Sequence, residues 1–143
     1  MRITQLMNAG VLVLCLAAPS QITIAVAAEQ ALTGAWVQGG EQCREVFTRG
    51  GKSVAFKRPV NPFAPGFIIS GNQIRTPGAS CRIKGSKRSG DLRILTLACA
   101  TSVAVDEAPA RLEPMADGTL RRYLNAEDKV GSKYERCGPP AKR

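Results

Sequence analysis

The side chains able to carry chemistry are few, and they are scattered. The chain has no histidine, which removes Ser-His and Cys-His nucleophile pairs and any zinc site built on imidazole. Its carboxylates beyond residue 40 are Glu41, Glu45, Asp91, Asp106, Glu107, Glu113, Asp117, Glu127, Asp128 and Glu135. No two of them sit in an apolar stretch of the kind that raises a carboxyl pKa for acid–base work. The segment from Gly85 to Gly90 has two glycines around Lys87 and Arg88, but lacks the spacing and the strand-loop-helix context of a phosphate-binding loop. No aspartate-rich calcium loop is present. The expectation is a protein without catalytic activity, cofactor or metal.

Cysteine and arginine are the residues left to consider. The 143 residues include five cysteines: Cys15, Cys43, Cys81, Cys99 and Cys137. No two are closer than the 18 positions from Cys81 to Cys99, so there is no C-x-x-C pair for zinc or for thioredoxin-like exchange. Cys15 lies in an apolar N-terminal run, Gly10 to Ala18, behind the single charge of Arg2. A second apolar stretch, Ile22 to Ala28, ends in Ala25-Val26-Ala27, an A-x-A cleavage pattern. Pro19-Ser20-Gln21 interrupts the run well short of the ~20 apolar residues a spanning helix needs. Residues 1–28 are therefore expected to be a cleaved export signal, and residues 29–143 a single domain with no transmembrane segment. Lipidation at Cys15 is the minor alternative, since Leu14 stands where a lipobox wants a small residue. Cleavage leaves Cys43, Cys81, Cys99 and Cys137, an even number, which in a small exported domain reads as two disulfides. Four cysteines allow three pairings. We favour Cys43–Cys137, tying the ends of the domain, with Cys81–Cys99 closing a local loop.

Charge narrows the partners. The chain has 20 Lys and Arg against 11 Asp and Glu, a net +9. Loss of residues 1–28 takes only Arg2, leaving 19 against 11, or +8. Arg75, Arg82, Lys84, Lys87, Arg88 and Arg93 cluster in sequence, with Lys87 and Arg88 expected in an exposed turn. Outside the cytoplasm nucleic acid is not the partner. The remaining anions are lipid headgroups, lipopolysaccharide, acidic glycans and acidic proteins. The bland alternative is a solvated basic face.

The elements that must position these residues are strands. Short β-rich runs recur at near ten-residue spacing between turn residues: Ala31 to Val37, Cys43 to Thr48, Lys52 to Lys57, Phe67 to Ser70, Gln73 to Thr76, Ser80 to Lys84, Leu92 to Ala100, Ala110 to Glu113, Thr119 to Leu124 and Lys133 to Arg136. Thr101 to Val105 reads as a continuation after a bend. Gly71-Asn72 and Asp117-Gly118 are hairpin turns. The one helical candidate is Asn125 to Val130. A stiff loop carries Pro59, Pro62 and Pro65 around Phe63, which is either an exposed contact residue or folded back over the mouth of the fold. Short antiparallel strands in so small a chain must hide their edges. The fold class is all-β, a disulfide-stapled antiparallel barrel of about eight strands, with a two-sheet sandwich as runner-up.

Leu32-Thr33-Gly34-Ala35-Trp36 resembles the G-x-W first strand of the calycin superfamily, which comprises lipocalins, avidins and bacterial metalloprotease inhibitors. Asp117-Gly118-Thr119-Leu120 is similar to a hairpin of the inhibitor family. The overall pattern also looks like that of small exported alphaproteobacterial proteins. The resemblance implies a barrel with Trp36 plugging one end. The function expected is that of a non-enzymatic binding or inhibitor-like protein of the envelope or extracellular space, presenting the Pro59–Pro65 loop to a protein. The alternative is a module that binds anionic lipid or glycan through the basic hairpin.

Overall fold

Alternation along β-strands buries one face of each hairpin, and in this chain the hairpins curl until the last meets the first. The computed structural model describes residues 30–39, 41, 43–50 and 53–138. The expected export signal and its cleavage point lie outside these residues. The described residues form ten strands: β1 (Gly34–Gln38), β2 (Phe47–Gly50), β3 (Ser53–Phe56), β4 (Gly66–Ser70), β5 (Gln73–Arg75), β6 (Ser80–Ser89), β7 (Leu92–Ala100), β8 (Val105–Pro114), β9 (Leu120–Tyr123) and β10 (Ser132–Cys137). Eight form a closed antiparallel barrel in the order β1-β10-β9-β8-β7-β6-β5-β4. Closure leaves the barrel no free edge, and the sandwich alternative is excluded.

The strands β2 and β3 form a separate hairpin. With the short helix α1 (Cys43–Val46) they make a flap on the outer face of β1 and β4. Cys43 to Thr48 was expected to be one strand, but its first four residues are α1. Four residues are too few to show a helical period. Residues 125–130, expected to be helical, form turns instead. The Asn125 side chain accepts from the amides of Glu127 and Asp128 at 3.0 and 2.8 Å, a local alternative to helix bonding.

Strand β1 serves two cores. Trp36 faces the barrel interior with Phe67, Ile69, Ile74, Leu95, Leu97, Leu112, Leu120 and Tyr134. Its neighbours Ala35 and Val37 face outward and pack with Val46, Phe47 and Ile68 under the flap. Gly66 allows this close approach, because a Cβ there would lie 2.9 Å from the Trp36 carbonyl oxygen and 3.0 Å from the Phe47 ring.

The two disulfides are Cys43–Cys137 and Cys81–Cys99. The first pins the flap to β10; barrel closure itself comes from β1–β10 pairing. The second is a rung between directly opposed residues of β6 and β7, and it faces the interior. Such bridges are the mark of an oxidising, extracytoplasmic compartment. Among the described residues no helix is long and apolar enough to cross a membrane.

Candidate functional site

The two ends of the barrel differ. One end is sealed by Trp36, which is 1% exposed and donates from Nε1 to the Leu32 carbonyl at 2.8 Å. Arg136 lies directly opposite Trp36 on β10, so its side chain shares the inward face. Its guanidinium stacks 4.2 Å from the indole centroid and donates to the carbonyls of Ala31, at 2.7 Å, and Thr33. Desolvation lowers the Arg136 pKa from its ordinary value. Gly34 completes the seal. Its φ is +144°, and a Cβ there would meet an Arg136 guanidinium nitrogen at 2.7 Å. Gly34 and Trp36 are thus required by one partner, Arg136, which sequence reasoning missed because it lies 100 residues further along the chain.

The other end is open. A cavity of about 580 Å³ enters the barrel there, between residues 62–66, the β5–β6 turn at 76–79 and the middle of β8, Ala108 to Leu112. That is within the usual range for small-ligand sites. Its inner wall is Phe67, Ile74, Leu97, Leu112, Tyr134 and the Cys81–Cys99 bridge. Phe67 and Tyr134 pack with ring centroids 4.9 Å apart. The proline loop forms part of the rim. It is tied to β1 by the amide of Gln38 donating to the Pro65 carbonyl at 2.8 Å, and Asn61 accepts from the Phe63 amide at 3.0 Å. Pro62, Phe63 and Pro65 line the mouth, while Pro59 lies outside the cavity. Phe63 is 88% exposed, so the loop covers the mouth without burying its aromatic.

In an up-and-down barrel alternate connections share an end. The connections β3–β4, β5–β6, β7–β8 and β9–β10 all lie at the open end. Among the described residues the exposed large hydrophobics are Val60, Phe63, Val103, Val105, Leu124 and Val130. Every one lies on or beside these connections. The opposite end has the turns at Gly71-Asn72, Gly90-Asp91 and Ala116-Asp117-Gly118. Sequence reasoning singled out Phe63 alone, because the others come together only through topology.

The basic cluster is divided by strand parity. Strand β6 runs to Ser89, so Lys87 and Arg88 are strand residues and not part of a turn, as had been expected. Register pairs Lys87 with Ile94 and Arg88 with Arg93, after a bulge at Lys84. Residues directly opposite share a face. Arg93 faces inward with Leu95 and Leu97 and is 8% exposed. It donates to the carbonyls of Gly90, Asp91 and Leu92 at 3.1 to 3.4 Å, so it does not belong to a surface patch. Arg88 shares that face and also donates to Gly90, at 3.1 Å. Arg75, Arg82, Lys84 and Lys87 are exposed. Arg111 joins them, since Ile94 pairs with both Lys87 and Arg111. None of these cations has an ion-pair partner among the described residues.

The described residues contain no cluster of three or more side chains suited to hold a metal ion. No family model, no curated protein and no solved structure matches this chain.

Proposed function

We propose that this chain is an exported, non-enzymatic binding protein of the periplasm or extracellular space, with residues 1–28 as a cleaved signal. Its open barrel end is the binding face and an apolar small molecule is its ligand. The observation that carries this reading is the coincidence of an apolar cavity of about 580 Å³ with the one end that gathers the exposed hydrophobic side chains. Exposed hydrophobic residues gathered at one end, unlike ones scattered singly, point to a contact or ligand site. The Gly34-Ala35-Trp36 strand supports kinship with calycin barrels as part of the same proposal.

The test is displacement of an environment-sensitive apolar dye by dodecanol, with wild-type protein and with Ala108→Trp. Ala108 pairs with the inward Leu97, lines the cavity and is exposed, so tryptophan there fills the lumen without displacing core. Binding by the parent, lost in Ala108→Trp with unfolding unchanged, is the expected result. Absence of dye and alcohol binding in the parent defeats the reading.

A second reading has its own observation, the exposed row of Arg75, Arg82, Lys84 and Lys87 without acidic partners. Retention on heparin or anionic vesicles that falls steeply with salt, and falls further in an Arg82→Ser, Lys84→Ser, Lys87→Ser variant, is what it requires. Equal retention of the variant leaves only a solubilising face.

A further inference from the structure

Resting on the lumen reading above, we propose that the ligand is a single-chain amphiphile with an anionic head group, and that Arg122 holds the head. Among the described residues, Arg122 is the single charged one lining the cavity. Its direction is fixed by register. It pairs with Leu112 on β8 and Ser132 on β10, and Leu112 is 2% exposed in the barrel core. Directly opposed residues share a face, so Arg122 faces inward. It stands one residue from the end of β9, at the open mouth, and is itself exposed. Below it the wall is apolar: Leu112, Leu97, Ile74 and Phe67.

Among the described residues no carboxylate lines the cavity, and Arg122 has no ion pair and no side-chain hydrogen bond. Tyr134 also lines the cavity. It pairs with Leu120 while Arg122 pairs with Ser132, which puts the two on one face as diagonal neighbours, within reach of long side chains. A guanidinium at the mouth and a phenol on the wall of an apolar shaft offer donors to a head and dispersion to a tail. A planar guanidinium suits a carboxylate or phosphate in a forked geometry. A neutral apolar ligand would leave Arg122 unused, and a cationic one would be repelled.

The experiment compares dodecanoate, dodecanol and dodecylammonium below their micelle concentrations, by calorimetry at low salt, on wild type, Arg122→Gln and Arg122→Lys. Wild type should bind dodecanoate on the order of tenfold tighter than dodecanol, the scale of one charge-assisted pair, with dodecylammonium weakest. Arg122→Gln should bring dodecanoate down to the level of dodecanol and leave dodecanol unchanged. Arg122→Lys should retain part of the preference. Arg82→Gln, on the outer face, should change nothing. Free carboxylates and lysophospholipids share this chemistry, and a dodecanoyl lysophosphatidylglycerol arm separates them by which binds tighter. An unchanged dodecanoate-to-dodecanol ratio in Arg122→Gln overturns the assignment and leaves the lumen reading standing. Failure of all three amphiphiles to bind wild type overturns both.

Discussion

Replacing Arg136 with methionine should cost about 2–3 kcal/mol of stability. The figure follows from what the guanidinium does at the sealed end. It donates to two backbone carbonyls, those of Ala31 and Thr33. Hydrogen bonds from a charged donor contribute roughly 1.5–3 kcal/mol each when buried. Arg136 is only partly buried, so about 1 kcal/mol each is appropriate. The contact with the Trp36 face adds about 0.5–1 kcal/mol. Methionine keeps apolar cover on the indole and loses the donors. Lysine keeps the charge over the ring and loses the fork, so about half the penalty should remain. Urea denaturation followed by fluorescence is the assay, because Trp36 is the only tryptophan and reports from the site of the change. A loss below about 0.5 kcal/mol in Arg136→Met, at unchanged m-value, would refute the reasoning. A cycle with Gly34→Ala sharpens it. The alanine methyl collides with Arg136, so its cost should shrink in the Met background to the backbone strain, about 1 kcal/mol.

The disulfides should differ in worth. Chain-entropy arithmetic for separations of 94 and 18 residues gives about 4.7 kcal/mol for Cys43–Cys137 and about 3 for Cys81–Cys99. Paired serine replacements and urea titration check the order, and amides of β2 and β3 should be the first to lose exchange protection when the former is cut. The Asp128 carboxylate accepts from the amides of Leu124, Gly131 and Val130 at 2.9, 2.9 and 3.1 Å, and these bonds hold its pKa below the usual value. A lowered folded pKa means the stabilisation is complete above the unfolded value, about 3.9, and disappears as pH falls through the lower folded one. The Val130 and Gly131 amide resonances should therefore titrate below that value, and midpoints at or above it would contradict the assignment.

Much of the barrel was legible because local chemistry encodes it. Gly71-Asn72 and Asp117-Gly118 stand at hairpin turns, and Leu95, Leu97 and Cys99 share one parity. The Cys81–Cys99 rung follows from the β6–β7 hairpin, whose strands pair those two residues directly. Closure was not legible as pairing, since β1 finds β4 and β10 across long stretches of chain. The flap was not legible either, because Val54 and Phe56 alternate as barrel strands do. Arg93 was misgrouped, and Arg122 passed over, for one reason. Each lies among other charges in the sequence, although each sits two residues from a core leucine, Leu95 and Leu120, and so shares its inward face. Parity outranks proximity in a strand.

The strand order sets a schedule for making the molecule. Six of the eight barrel seams join consecutive strands, and both exceptions involve β1. The ribosome delivers β1 first, yet it cannot be satisfied on both sides until β10, the last strand, exists. Consecutive hairpins from β4 onward form with little loop-closure entropy, while β1 waits with apolar residues on both faces. Cys43 waits with it, because Cys137 belongs to β10. Oxidative folding should therefore accumulate a species bridged only between Cys81 and Cys99. During that interval the chain depends most on whatever shields an unpaired apolar strand.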